Sequence, residues 1–253
     1  MVWSGPALHT GAARLSAQAA LAVGAGVVTI LGDRAALAEH ATHVTAIMLR
    51  EADLATSFLD NRVMGFAIGP GAGSGPLVKQ AVLNVLSLEV PTVLDADALS
   101  VFESQPDTLF QAVHLTDVMT PHLGEFGRIF PDISVENRQD AARRAAGLAQ
   151  CVVLLKGPET WIAAPDGRTY VNRHASPWLA TAGSGDVLTG LICGLLAQGV
   201  PAFDAAGIAA WLHGDIGVRG GPGLTADSMI GHIPLVLRGC LNDAPEHGAG
   251  SRT

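Results

Sequence analysis

Ala182-Gly183-Ser184-Gly185-Asp186 places two glycines and a carboxylate directly ahead of the apolar run that begins at Val187. Backbone N–H groups at a helix N-terminus lack intrahelical acceptors, and glycine leaves them open to a phosphate or a developing oxyanion. Asp186 beside such a pocket can take a proton from a hydroxyl while the amides hold a transferring phosphoryl group. The same segment also reads as an ordinary helix start whose acid is favoured by the macrodipole. On this segment alone both readings stand.

Four further segments carry similar chemistry. Gly69-Pro70-Gly71-Ala72-Gly73-Ser74-Gly75 follows an apolar run, but Pro76 occupies the third glycine position of a dinucleotide fingerprint, so that motif is excluded. The loop is then either a tight turn needing positive φ or a place where backbone closely approaches a ligand. Asp95 and Asp97 stand where a strand should end, the ligand-binding edge of open α/β sheets. They can act directly, fasten loops and cap a helix, or organise magnesium through water. In Thr120-Pro121-His122-Leu123-Gly124-Glu125, His122 can hydrogen-bond an amide or phosphate and Glu125 can help order a metal. In Lys156-Gly157-Pro158-Glu159-Thr160, Lys156 can meet a phosphate as a point charge, or be an exposed turn lysine. The only lysines are Lys79 and Lys156, which adds weight to a position at a strand end.

These segments need elements to carry them. Val27–Leu31, Thr45–Leu49, Val63–Ile68, Thr92–Leu94, Val118–Thr120 and Val152–Leu155 are predicted strands, continuous in apolar residues as strands buried on both faces should be. Helices are predicted over Gly11–Val23, Pro76–Leu88 and Ser134–Leu148, the last with Ser134 as N-cap. Thr160–Ala164, Pro165-Asp166-Gly167 and Arg168–Asn172 read as a β-hairpin near the lysine. Three helices follow, about Ser184–Gln198, Ala202–Val218 and Asp227–Arg238, and residues 244–253 read as a frayed tail. The alternation implies one α/β domain over 1–253 with a mostly parallel sheet flanked by helices. Met1–Trp3 is only a remnant of a first strand, which implies either a misassigned start or the downstream part of a longer protein.

The 253 residues carry a formal charge of −8, 49% hydrophobic residues and only 15% charged ones, with mean hydropathy +0.35. That composition excludes a disordered chain and argues against a nucleic-acid binder that neutralises phosphates. Cys151, Cys193 and Cys240 form neither a disulfide framework nor a zinc motif, which fits a reducing cytoplasm. The charge-free runs Leu15–Gly32 and Val187–Phe203 are broken by Gly, Ser, Gln or Pro and read as buried helices rather than membrane spans. So low a charge content suggests surface buried between subunits of a homo-oligomer.

Taken together and in this order, the five segments, with Thr10-Gly11-Ala12 and Gly24-Ala25-Gly26-Val27-Val28-Thr29, resemble one family over roughly Ser4 to Leu237. It is the ribokinase-like ADP-dependent (S)-NAD(P)H-hydrate dehydratase family, in many bacteria the C-terminal half of a bifunctional enzyme with an epimerase. The resemblance implies a doubly wound α/β fold and repair of hydrated NADH or NADPH, with ADP as phosphoryl donor and Mg²⁺ present. It implies Asp186 as the base and nucleotide contacts at Lys156, Gly157, Pro158, Glu159, Thr160, Gly183, Ser184 and Gly185. It places the hydrate against Ala12, Gly73, His122 and Asp186, with Asp95 and Glu125 organising metal-bound water and no residue ligating metal directly. Leu123 departs from the proline common there, and Ala226-Asp227-Ser228 departs at the start of the last helix. Two rival readings are another ribokinase-like small-molecule kinase, such as one acting on a hydroxymethylpyrimidine, and a non-catalytic nucleotide-binding module.

Overall fold

The computed structural model describes residues 1–52 and 62–242, so the predicted tail over 244–253 lies outside the described residues. The strands are β1 (Val2–Trp3), β2 (Thr29–Gly32), β3 (Met48–Glu51), β4 (Phe66–Ile68), β5 (Thr92–Leu94), β6 (Val118–Met119), β7 (Val152–Leu155), β8 (Thr160–Ala163) and β9 (Thr169–Asn172). They form one sheet in the order β3-β2-β1-β4-β5-β6-β7-β8-β9. Pairing is parallel from β3 to β7, and the hairpin β8–β9 is added antiparallel at one edge. The chain runs outward from β1 to β3, then returns to the other side of β1 at β4, so the sheet is doubly wound with a switch point between β1 and β4.

The apolar strands divide their side chains between two cores. Ile30, Ala67, Val93, Val118 and Val152 face α1 (Gly11–Ala22), α8 (Ser184–Leu196), α9 (Ala202–Gly220) and α10 (Ala226–Asn242). Leu31, Phe66, Ile68, Leu94, Met119 and Val153 face the opposite layer, which includes α3 (Pro76–Leu86), α4 (Asp97–Ser100), α5 (Pro106–Phe110), α6 (Leu123–Ile129) and α7 (Arg138–Ala149). The short α2 (Arg34–Ala41) joins β2 to β3.

The small residues have a packing role. On α8, a Cβ at Gly190 would lie 2.2 Å from the Ser16 carbonyl oxygen, and one at Gly194 would lie 2.7 Å from that of Ala20. Helix α1 answers with Ala13, Ala17 and Ala20, so the two backbones approach closely. This contact sets the depth at which the N-terminus of α8 meets the sheet edge.

Several boundaries differ from those predicted. The strand expected over Thr45–Leu49 is β3, Met48–Glu51, with Thr29 opposite Met48. It is an edge strand and three of its four residues are exposed, so apolar continuity is a poor guide to its limits. The helix expected from Ser134 begins at Arg138, because Asn137 supplies the cap by accepting from the Asp140 N–H at 3.0 Å. Ser134 accepts only from Glu136 two residues on. The first strand is two residues long yet lies inside the sheet, between β2 and β4. Helices α2, α4, α5 and α6 were not predicted; all have eight residues or fewer, too short for a clear period. Among the described residues no helix is long and apolar enough to cross a membrane.

Candidate active site

Four neighbouring strands deliver the chemistry-bearing segments to one edge. Asp95 follows β5, and its N–H reaches the carbonyl of Ile68 at the end of β4. Gly69, the next residue of that β4 exit, has φ +125°, and a Cβ there would lie 1.7 Å from the Asp95 carbonyl oxygen. His122 and Lys156, beyond β6 and β7, pair as an isolated parallel bridge, with the Lys156 N–H donating to the Pro121 carbonyl at 2.9 Å.

At the centre is an ion network. Lys156 Nζ donates to Asp95 Oδ1 at 2.6 Å and lies 3.8 Å from Glu125 Oε2. Asp95 also accepts from Thr189 Oγ1 at 2.7 Å and from the Ala96 N–H at 2.9 Å. Burial pulls the Lys156 pKa down, but the Asp95 and Glu125 carboxylates outweigh it and hold the amine above the ordinary lysine value. Burial has the opposite effect on Asp186, pushing its carboxyl up to about 6; Asp95 and Asp97 add to the rise and Lys156 opposes it.

The N-terminus of α8 covers this network. Gly183 takes the left-handed conformation, φ +85°, in a close fit where a Cβ would meet Leu15 Cδ1 at 2.7 Å and Ala226 Cβ at 2.8 Å. A Cβ at Gly185 would lie 3.7 Å from Lys156 Nζ, so the amine sits against the first turn of the helix. Ser16 on α1 donates to the Asp186 carbonyl at 2.8 Å and fixes that turn. Local sequence gave no hint of His213 on α9, whose Nε2 lies 2.9 Å from Ser184 Oγ and 3.0 Å from the Ser184 carbonyl oxygen. Burial first, and Lys156 after it, push its pKa down to about 4, so the ring is neutral at pH 7.

A cleft of about 790 Å³ opens beside this turn. Of the residues predicted to contact nucleotide, Lys156, Gly157, Pro158, Thr160, Ser184 and Gly185 line it, as do His122 and His213. Its far wall is the segment after β9, from Arg173 to Thr181, braced where Asn172 Nδ2 donates to the carbonyls of His174 and Ala210. Glu159 is not among the lining residues and makes an exposed ion pair with Arg173 at 2.8 Å.

Of the residues predicted to meet the hydrate, His122 lines the cleft just described, and Ala12 lies against the β4–α3 loop that carries Gly73. Gly71, φ +65°, would bring a Cβ within 3.2 Å of Ala12 Cβ, so the β4–α3 loop abuts the start of α1. Gly73, φ +86°, faces open space, and its N–H donates to Asp97 Oδ2 at 2.8 Å. Asp97 therefore ties loops together from the first turn of α4. His122 caps α6: Nδ1 accepts from the N–H groups of Gly124 and Glu125, and Nε2 lies 3.3 Å from Glu125 Oε1. Leu123 is simply the first residue of that helix. At α10, Thr225 and Ser228 cap each other, Ser228 Oγ accepting from the Thr225 N–H at 3.1 Å.

The carboxylates fit a hydrated magnesium ion carried on a nucleotide rather than a direct ligand cage. Both Asp95 oxygens already accept from protein donors, and Glu125 Oε2 accepts from the His122 N–H at 2.8 Å. Mg²⁺ commonly keeps several waters, which such carboxylates can orient.

The sequence profile of the NAD(P)H-hydrate dehydratases matches residues 1–227. The chain belongs to that family. It is 36% identical over 205 residues to the ADP-dependent (S)-NAD(P)H-hydrate dehydratase of Neisseria meningitidis serogroup B, covering 78% of this chain and 68% of that one. It is 39% identical over 250 residues to the bifunctional NAD(P)H-hydrate repair enzyme of Moorella thermoacetica, covering 90% of this chain and 47% of that one. The chain thus spans about half the length of the bifunctional relatives it matches. The ADP/ATP-dependent NAD(P)H-hydrate dehydratase of Bacillus subtilis, co-crystallised with ATP and Mg²⁺, superposes with TM-score 0.80 at 27% identity over 94% of this chain and 88% of that one. The fold is the ribokinase-like one implied by the sequence. In this chain the β4 exit at Gly69 abuts Asp95, Asp95 pairs with Lys156, and the Lys156 amine sits against the first turn of α8.

Proposed function

We propose that the chain dehydrates (S)-NADH hydrate and (S)-NADPH hydrate to NADH and NADPH, using ADP and releasing AMP and phosphate. The observation that carries this reading is the Lys156 amine set against the first turn of α8, beside a carboxyl whose pKa is pushed up to about 6. Hydroxide is a poor leaving group, so the ring hydroxyl is first made a phosphate ester. Asp186 takes the proton of that hydroxyl as its oxygen bonds to the β-phosphorus of ADP and the bond to the AMP oxygen breaks. The backbone of Gly183–Gly185 and the Lys156 charge hold the phosphoryl group in transit. The ring-nitrogen lone pair then expels phosphate from carbon, and loss of the adjacent ring proton restores the double bond.

Nucleotide contacts fall to Lys156, Gly157, Pro158, Glu159, Thr160, Gly183, Ser184 and Gly185, with Glu159 contributing through its backbone. The hydrate lies against Ala12, Gly73, His122 and Asp186. His122 presents the ring itself, since both nitrogens are engaged within the cap. Asp95 and Glu125 would orient the water shell of Mg²⁺, which when bound neutralises phosphate charge. The scarcity of charged residues supports a homo-oligomer, the bifunctional relatives support an epimerase as a working partner, and a cytoplasmic setting fits the three unpaired cysteines.

The deciding assay supplies NADH hydrate with ADP and Mg²⁺ and follows the return of reduced-nicotinamide absorbance. Recovery with ADP is expected. Absence of recovery with both ADP and ATP overturns the reading.

A further inference from the structure

The donor cleft accounts for ADP, and the loops bearing Ala12 and Gly73 account for the nicotinamide end of the substrate. A dinucleotide has more to place: a diphosphate and an adenosine beyond that end. A second cleft, of about 500 Å³, begins where the Gly73 loop ends and shares no lining residue with the donor cleft. Its walls are Ser74 to Pro76, Lys79 on α3, and the stretch from Asp97 to Gln105. Asp97 belongs to both places, because it holds the Gly73 N–H and also lines this cleft.

The cation in it is one of only two lysines in the chain, the other being Lys156 in the donor site. Lys79 Nζ donates to Gln105 Oε1 at 2.6 Å and lies 5.2 Å from the centroid of the Phe102 ring. Among the described residues these partners are neutral, so the amine is held in place while its charge remains available. Of the two carboxylates in the wall, Asp97 is engaged by Gly73, and Glu103 faces Arg128 Nε at 3.5 Å on its other side. Ser74, Ser100 and Ser104 add hydroxyl donors.

Resting on the dehydratase reading, we propose that this cleft receives a phosphate of the adenylyl half of the dinucleotide, with Lys79 as its point-charge partner. The nicotinamide end then enters over Gly73 while the rest of the substrate leaves along α3, away from ADP. An ammonium suits either the diphosphate or a ribose 2′-phosphate.

Equilibrium binding tests this without requiring turnover. Calorimetry would compare NADH, NADPH and reduced nicotinamide mononucleotide on the wild-type protein and on Lys79→Gln, with AMP saturating the donor cleft. The dissociation constant of the dinucleotides is expected to rise about tenfold while that of the mononucleotide moves less than twofold. Loss confined to NADPH assigns the lysine to the 2′-phosphate, and equal loss for NADH and NADPH assigns it to the diphosphate. No change for any ligand, or the same change for all three, overturns the proposal. Failure of the hydrate assay with this pattern of binding intact would count against the chemistry rather than against the cleft.

Discussion

Lys156 Nζ and Asp95 Oδ1 are 2.6 Å apart, although the lysine leaves β7 and the aspartate leaves β5. The strand between them, β6, contributes the Pro121 carbonyl that holds the Lys156 N–H, so three adjacent strand ends fix one ion pair. Both oxygens of Asp95 are occupied by donors, which makes it the anchor of the amine rather than an acceptor for a substrate proton. Asp186, whose carboxyl burial pushes up to about 6, is the base in the mechanism proposed above.

That division of labour sets a pH dependence. Only the ionised Asp186 can take a proton, and its pKa of about 6 places the acid limb of kcat/KM there, with activity rising to a plateau above it. Asp186→Asn is expected to lower kcat by roughly 10²-fold or more while AMP binding stays near wild type. Steady-state rates between pH 4.5 and 8.5, roughly the range on either side of that pKa, check the limb. A variant with near-normal kcat would remove Asp186 from the chemistry.

Gly69 tests how much the site depends on backbone contact. At φ +125° an alanine is strained, and its Cβ would also fall 1.7 Å from the Asp95 carbonyl oxygen. Gly75 has nearly the same φ, +124°, with nothing within 4 Å of a Cβ. Gly75→Ala should therefore lose only the conformational term, about 1–3 kcal/mol, while Gly69→Ala loses more because Asp95 must move as well. Thermal unfolding of the pair measures the difference. Equal losses would show that the Asp95 contact relaxes freely.

Much of the candidate-site edge was legible because strand ends concentrate unusual residues where the chain stops being apolar: Asp95 and Lys156 directly follow such a run, and His122 follows one after Thr120 and Pro121. The hairpin was legible through Gly167, which turns at φ +90° between β8 and β9. His213 was not, since a histidine within a long helix carries no local signal; its contact with Ser184 exists only because α9 packs across the start of α8. The start of α7 was ambiguous for a related reason, with two capping residue types, Ser134 and Asn137, within four positions.

Glu39 was equally invisible in the sequence, and it holds the loop in front of α1. Both of its oxygens accept from the Leu8 N–H, at 2.9 and 3.0 Å, and Oε2 also accepts from Thr10 Oγ1 at 3.0 Å. Leu8 has φ +71°, a conformation disfavoured for leucine, so the carboxylate fixes a strained turn. The same loop touches the substrate side through Gly5, where a Cβ would lie 1.7 Å from the Gly71 carbonyl oxygen. The Leu8 N–H holds the Glu39 pKa below the usual carboxylate value; burial opposes it, and Thr10 and Arg14 assist. The clamp is therefore ionised at neutral pH and is lost only as pH falls through that lowered value. Glu39→Ala is expected to raise KM for the hydrate about fivefold, as a displaced loop costs positioning rather than chemistry, and to leave KM for ADP within twofold. Glu39→Gln, which keeps one acceptor oxygen, should fall between the two. Equal rises in both KM values would mean that the substitution disturbs the whole sheet edge, and the positioning role would then be withdrawn.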